Sequence, residues 1–244
     1  CSANGIRTRT ADDVRCLPVC RICLARVLRL KSSAPFLSMG IACDDFFFSW
    51  CEEEPIVRGN PEMNVLDSYK GKRVLLTGHT GFKGLWLSLL LLREGAAVTG
   101  FSLDAPTAGG REALERLGIL KELRDVRGDV RDLAALRRAF DAAHPEVVFH
   151  LAAQPIVRES YRQPVETFAA NVMGTVNVLE CIRTSDTVRS ALIVTTDKVY
   201  ENREWAWGYR ENEPLLGYDP YSASKTCAEI AVYSYRQSFL TAQD

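Results

Sequence analysis

Tyr221 and Lys225 stand four residues apart in the stretch YSASK. In a helix that spacing puts both side chains on one face, one turn apart. An ammonium beside a phenol favours the phenolate, so Tyr221 is expected to titrate toward neutrality. A phenolate there can take the proton from a hydroxyl while hydride leaves the same carbon. Upstream, TTDKVYEN puts a hydroxyl, an acid and a base in a row, Thr196, Asp197 and Lys198. They follow SALIV, an apolar run that reads as a buried strand. Strand ends are where α/β sheets bind their ligands. Thr196 is then placed to serve as the hydroxyl partner of the Tyr–Lys pair. The plainer account of Asp197 and Lys198 is an ordinary loop ion pair.

A second cluster is built of glycine. TGHTGFKG holds Gly78, Gly81 and Gly84 at G-x2-G-x2-G spacing, between the apolar run KRVLL and the helical stretch FKGLWLSLLLLREG. Glycines let the backbone bend tightly and approach a pyrophosphate. The helix N-terminus that follows offers free N–H groups and a partial positive charge. The expectation is a dinucleotide turn made by Gly78, His79, Thr80, Gly81, Phe82, Lys83 and Gly84. His79 and Lys83 would help to hold the pyrophosphate or ribose. A merely structural turn is the alternative.

The elements that must position these groups follow a repeating pattern from Lys72 on. KRVLLTG, AAVTGFSL, EVVFHLAA and SALIVTTD read as strands, and VRGDV as a short strand or its end. FKGLWLSLLLLREG, REALERLG, RDLAALRRAFDAAH, PVETFAANVMGTVNVLECIRTS and PYSASKTCAEIAVYSYRQSF read as helices. At the end of EVVFHLAA, the fourth strand in chain order, Leu151, Ala152, Ala153 and Gln154 close the run HLAAQ. Strands that are apolar throughout, alternating with helices, imply a parallel sheet covered on both faces.

The chain of 244 residues has a net charge of -1, and 25% of its residues are charged, which argues against nucleic acid or a membrane surface as partner. No apolar run reaches the roughly 18–20 residues of a membrane span. Of the eight cysteines, only Cys181 and Cys227 lie beyond position 51, which suits a reducing, cytoplasmic compartment. Residues 1–62 follow a different pattern, without sustained periods or clean caps. Cys16, Cys20 and Cys23 show a C-x3-C-x2-C spacing used by radical enzymes for an iron–sulfur cluster, but the barrel such a cluster needs is absent from the sequence. An acid-free, Arg-rich stretch reads alternatively as a transit peptide. The favoured reading is a disordered or non-native segment, translated from upstream sequence, with the domain beginning at Met63. The domain organisation expected is therefore 1–62 atypical and 63–244 dinucleotide-binding, with no metal site.

Taken together, GKRVLLTGHTGFKGLWLSLLL, HLAAQPIVRESYRQPVETFAANVMGTVNVLE, VTTDKVYENREWAWGYRENEPL and DPYSASKTCAEI resemble the nucleotide-sugar branch of the extended short-chain dehydrogenases/reductases, most closely its 4,6-dehydratases acting on CDP-glucose. The likeness covers about residues 64–240. It implies an α/β fold: a Rossmann-like doubly wound parallel sheet, truncated here before the C-terminal substrate domain of roughly a hundred residues. It implies NAD as cofactor, a nucleotide-sugar substrate with CDP-glucose expected, and a homodimer built on the helices at 164–183 and 221–240. Tyr221 would be the base at C4, Lys225 its tuner and Thr196 a donor to O4. Asp197 would be the acid to the departing C6 hydroxyl. Lys198 would sit near C5 as partner or electrostatic helper. Asp129 resembles an adenine-contacting acid, with the Val130 backbone beside it, although it could also cap the next helix. An acid is usual after the second strand of the motif. Ser102 or Leu103 occupies that place and Asp104 comes slightly late, so the choice between NAD and NADP stays open. The cofactor would pass Leu151, Ala152, Ala153 and Gln154, and Asn171 would brace the site's backbone. Arg158, Ser160, Tyr161 and Arg210 would face the substrate, with the aromatic stretch EWAWGYRE as a flap over it.

Overall fold

The computed structural model describes the backbone of residues 25–29 and residues 68–240 in full. The readings of Cys16, Cys20 and Cys23 and of a start at Met63 lie outside the described residues. Six strands form one sheet: β1 (Ala25–Arg29), β2 (Arg73–Thr77), β3 (Ala97–Ser102), β4 (Arg124–Arg127), β5 (Val147–His150) and β6 (Ser190–Val194). Their order is β1-β6-β5-β2-β3-β4. The five strands from β6 to β4 are parallel. β1 runs antiparallel on the edge of β6, from Ala25 opposite Val194 to Arg29 opposite Ser190. A strand from the atypical segment was not foreseen.

Eight helices are described: α1 (Phe82–Arg93), α2 (Ala108–Arg116), α3 (Ile119–Glu122), α4 (Leu133–Ala143), α5 (Val157–Arg162), α6 (Pro164–Phe168), α7 (Gly174–Thr184) and α8 (Pro220–Tyr235). Successive side chains of a strand point to opposite faces, and the core divides accordingly. Val74, Leu76 and Phe149 pack with Leu85 and Leu91 of α1 and Leu114 of α2. Leu75 and Val148 pack on the other face with Leu136 of α4, Val178 of α7 and Val232 of α8. Apolar positions on both faces are what a doubly covered parallel sheet requires.

The long helix expected after Pro164 runs on to Thr184, but not uniformly. Between α6 and α7 the turns widen to a π-helix at Ala169–Met173, and a second π-helix at Arg236–Leu240 extends α8. The run LAA after β5 leaves the sheet, and the short α5 was not anticipated. The strand order turns back on itself at β2 and β5. In such sheets the crevice outside the carboxyl ends of the strands at this switch point holds the ligand.

Candidate active site

Gly78 takes a left-handed φ of 79° directly after β2. A Cβ there would stand 2.7 Å from the Ala152 amide nitrogen, so the turn and the β5 loop touch at the switch point. Gly84 is tighter still, since its Cβ would meet the Gly78 carbonyl oxygen at 2.1 Å. Gly81, by contrast, would meet only that oxygen, at 3.4 Å. It caps α1 without a side-chain hydrogen bond, and the first turn of α1 carries no acid. A tight glycine turn leading to an uncapped helix N-terminus fits the pyrophosphate of a dinucleotide.

The rest of the turn divides by direction. The Thr80 hydroxyl donates to the Leu103 carbonyl at 3.0 Å and lies 2.7 Å from Ser102 Oγ, tying the turn to the end of β3. Phe82 and Lys83 are exposed. The expectation for His79 is corrected: its ring is buried under the turn, with Nε2 2.9 Å from Asp125 Oδ1, and packs on Gly100. Burial lowers its pKa, with Asp125 opposing. Its imidazole faces the sheet instead of a pyrophosphate.

At the end of β3, Asp104 is largely exposed and 3.6 Å from Arg127, while Arg127 also donates to the Leu103 carbonyl and to Asp125. Asp129 is gripped by Arg131 through its Nε, Nη2 and main-chain N–H. The guanidinium hydrogen bonds hold this carboxylate below its usual pKa. Asp129 is not the helix cap: Asp132 caps α4, accepting from the Ala135 amide at 3.0 Å. Val130 is buried, and its carbonyl takes a 2.9 Å hydrogen bond from Asn177. Gly174 lets α7 approach Val130, where a Cβ would lie 2.7 Å from its methyl group.

The β5 loop is held by a buried polar chain. Asn171 in the π-helix accepts from the Gln154 amide at 2.8 Å and donates to the Gln154 carbonyl at 3.1 Å and to Ser224 Oγ at 2.9 Å. The Thr175 hydroxyl donates to the Asn171 carbonyl, so it must accept from His150 Nε2 at 3.1 Å. His150 Nδ1 is then the acceptor for the Thr77 hydroxyl at 2.7 Å, and Thr77 in turn accepts from the Ala152 amide. Leu151 joins β2 through its own amide, and Ala153 follows, half-buried. The Gln154 side chain binds its own loop at Ile156 and α6 at Thr167. Sequence reasoning missed Thr77, His150, Thr175 and Ser224. Polar residues ending two apolar strands were the available signal.

Arg158 and Arg210 are exposed, and Tyr161 is largely so. Ser160 is corrected: it is fully buried and its hydroxyl donates to the Val157 carbonyl within α5, so it packs instead of facing a substrate.

Asp219 caps α8 from the Ser222 amide, with Pro220 at the first helical position. Tyr221 therefore enters on the first turn. Thr196 and Asp197 stand just past β6, where the Thr196 hydroxyl donates to Asp197 Oδ1 at 3.1 Å. Tyr221 is not acidified as expected. Burial raises its pKa, the hydrogen bond with Thr196 pulls it down, and Asp197 and Asp219 raise it further. The Lys225 ammonium instead donates to the Val194 carbonyl at 3.1 Å. Burial brings Lys225 down to about 8, with Glu229 opposing and Lys83 adding to the fall. Asp197 and Lys198 are exposed at the rim of the Tyr–Lys site. A bridge between Tyr200 and Leu215 closes the intervening loop. In it Tyr209 stacks on Tyr200 at 5.3 Å, with Trp205 and Trp207 beside it.

The model of the GDP-mannose 4,6 dehydratase family matches residues 75–242. CDP-glucose 4,6-dehydratase of Salmonella typhimurium is 53% identical over 171 residues, which is 70% of this chain and 47% of that protein. The solved dTDP-glucose 4,6-dehydratase of Streptomyces venezuelae, with NAD and TYD bound, is 28% identical with a TM-score of 0.59, over 68% of this chain and 52% of that one. The UDP-glucose 4-epimerase of Thermotoga maritima, with UDP-glucose, is 26% identical with a TM-score of 0.60, over 68% and 52% of the two chains. The chain thus spans about half the length of the curated relatives it matches.

Proposed function

The chain belongs to the GDP-mannose 4,6 dehydratase family, and we propose that its protein is an NAD-dependent 4,6-dehydratase that turns CDP-glucose into CDP-4-dehydro-6-deoxyglucose and water. The observation that carries this reading is Asp197, exposed at the site's rim and hydrogen-bonded to the same Thr196 that meets Tyr221. The likeness to the Salmonella typhimurium enzyme supports the choice of CDP-glucose.

Bound NAD would supply an acceptor and donor of hydride. Gly78, Gly81 and Gly84 with the α1 N-terminus would hold its pyrophosphate, with Phe82 and Lys83 at the rim. Val130 and Asp129 would flank the adenine, and Leu151, Ala152, Ala153 and the Gln154 backbone would line its path. Tyr221 takes the proton of the C4 hydroxyl while Thr196 hydrogen-bonds O4. The C4 ketone acidifies the proton on C5. Lys198, near C5, would take the C5 proton while Asp197 protonates the C6 hydroxyl, which leaves as water; C6 would then regain the hydride taken from C4, and C5 a proton. Oxidation at C4 is balanced by reduction at C6, so the sum is loss of one water. Arg158, Tyr161 and Arg210 would meet the nucleotide sugar, and the Trp205–Trp207–Tyr209 loop would cover it.

Exposed Val165, Met173, Ile230 and Tyr233 on α6 to α8 suit a second copy of the chain, making a homodimer. Cys181 and Cys227 are free thiols, which suits the cytoplasm. The test expresses the whole reading frame, supplies CDP-glucose and NAD, and records the product mass. Loss of one water is expected. Unchanged mass with an inverted sugar centre, or no reaction, overturns the elimination.

A further inference from the structure

Tyr221, Lys225 and Glu229 recur every four residues along α8, on one face and one turn apart. The proposed Tyr–Lys pair uses the first two and leaves the third without a role. Glu229 is 1% exposed, and its Oε1 accepts a hydrogen bond from Thr195 Oγ1 at 2.5 Å. Thr195 directly follows Val194, whose carbonyl takes the Lys225 ammonium. The last residue of β6 and the one after it thus hold the lysine and the glutamate of one helix face. A carboxylate this deep is costly unless hydrogen-bonded and paired with a cation.

We propose that Glu229 is a positioning residue whose buried carboxylate, locked by Thr195 to the end of β6, keeps Lys225 in place as an ammonium one turn from Tyr221. The proposal rests on the reading of Lys225 as part of the catalytic pair. The groups around Lys225 make the need clear. Burial disfavours its charge most, and Lys83 at the start of α1 repels it, while Glu229 is the group that favours it. From β5, His150 is itself driven neutral, partly by the Lys225 charge. In the π-helix and α7, the buried polar Asn171 and Thr175 are neutral. From the turn after β6, Asp197 and Lys198 stand exposed, with Asp197 acting on Tyr221.

The test compares wild type, Glu229→Gln, Lys225→Met and the double variant, all as the whole reading frame. Their urea midpoints are measured well below and well above pH 8, near which Lys225 titrates. Below it Lys225 is charged and Glu229→Gln should lower the midpoint sharply. Above it the amine is neutral and the loss should shrink. In the Lys225→Met background this pH dependence should vanish. An equal loss at both pH values in both backgrounds would make Glu229 a packing group and overturn the proposal. This readout needs no turnover, so it stands apart from failure of the dehydratase reading. Where product forms, the alkaline limb of kcat/KM should move about one unit toward acid in Glu229→Gln, a tenfold loss on that limb. Glu229→Asp should leave the limb in place. Should Glu229→Gln not fold, Thr195→Val should move the limb in the same direction by less, and an unmoved limb refutes the idea.

Discussion

Asn171 and Ser224 meet across 2.9 Å, joining the widened turn of the 164–184 helical run to the first turns of the Tyr–Lys helix. The same Asn171 holds both main-chain groups of Gln154. Three structures that must keep register are thus tied by one buried amide: the β5 loop, the π-helix and α8. A π-turn at this point is in keeping with the use of such bulges at functional sites.

Asn171→Ala should therefore destabilise far beyond its size. It leaves the Gln154 N–H and carbonyl without their partner and takes one of two partners from the Ser224 hydroxyl, and each group costs roughly 1–3 kcal/mol when unsatisfied. Water entry recovers part, so a net loss of about 3 kcal/mol is expected. Urea denaturation measures it. A loss under about 1 kcal/mol would mean that the loop is held by other contacts.

The three glycines of the turn should answer substitution differently. Gly84→Ala drives a methyl into the Gly78 carbonyl, and Gly78→Ala adds a left-handed φ to a clash with Ala152. Both should lower the unfolding midpoint, by roughly 2 kcal/mol or more. Gly81→Ala meets one oxygen at 3.4 Å and should change stability by no more than about 0.5 kcal/mol. If the open face at Gly81 receives a pyrophosphate, that variant should still bind NAD at least tenfold more weakly in calorimetry. Unchanged NAD affinity in Gly81→Ala would remove the dinucleotide from this turn.

Asp197→Asn keeps the hydrogen bond from Thr196 but cannot deliver a proton. Loss of a general acid typically costs 10²–10⁴-fold, so the proposed dehydration of CDP-glucose should slow by about that factor with KM little changed. Tyr221→Phe should slow it as much. A product rate in Asp197→Asn within about threefold of wild type would return Asp197 to the status of a loop residue.

The sheet and the glycine turn were legible because apolar strand runs, helical spacing and glycine spacing are local patterns. Tyr221 and Lys225 share a helix, so their alignment is local too. What escaped is what only tertiary contact decides. His79 looks like a ligand group in TGHTGFKG, yet the missing side chain at Gly100 opens a pocket beneath the turn that the imidazole fills. Ser160 turned inward on its own helix. The tuning of Tyr221 by Lys225 was inferred from spacing, but the ammonium finds a carbonyl of β6 instead. The widened turn at Asn171 was not visible in the helical spacing either, and its side chain reaches Gln154 and Ser224.

His150 makes stability depend on pH in a stated direction. Its ring is buried, burial lowers its pKa from 6.5 to about 3, and the Lys225 charge adds to this. Between those values the unfolded chain takes up a proton that the native ring refuses. Stability therefore falls as pH drops below about 6.5 and stops falling from this source near 3. At about 1.36 kcal/mol per unit the full effect is on the order of 5 kcal/mol. His79, also lowered by burial, adds in the same direction. Asp129 and Asp219, both lowered, contribute only further down, as pH passes through the carboxylate range. The urea midpoint should thus decline already between about pH 6.5 and 4.5, above the carboxylates. His150→Gln, which keeps a donor and an acceptor between Thr77 and Thr175, should flatten that decline. An equally steep slope in the variant would place the acid sensitivity elsewhere.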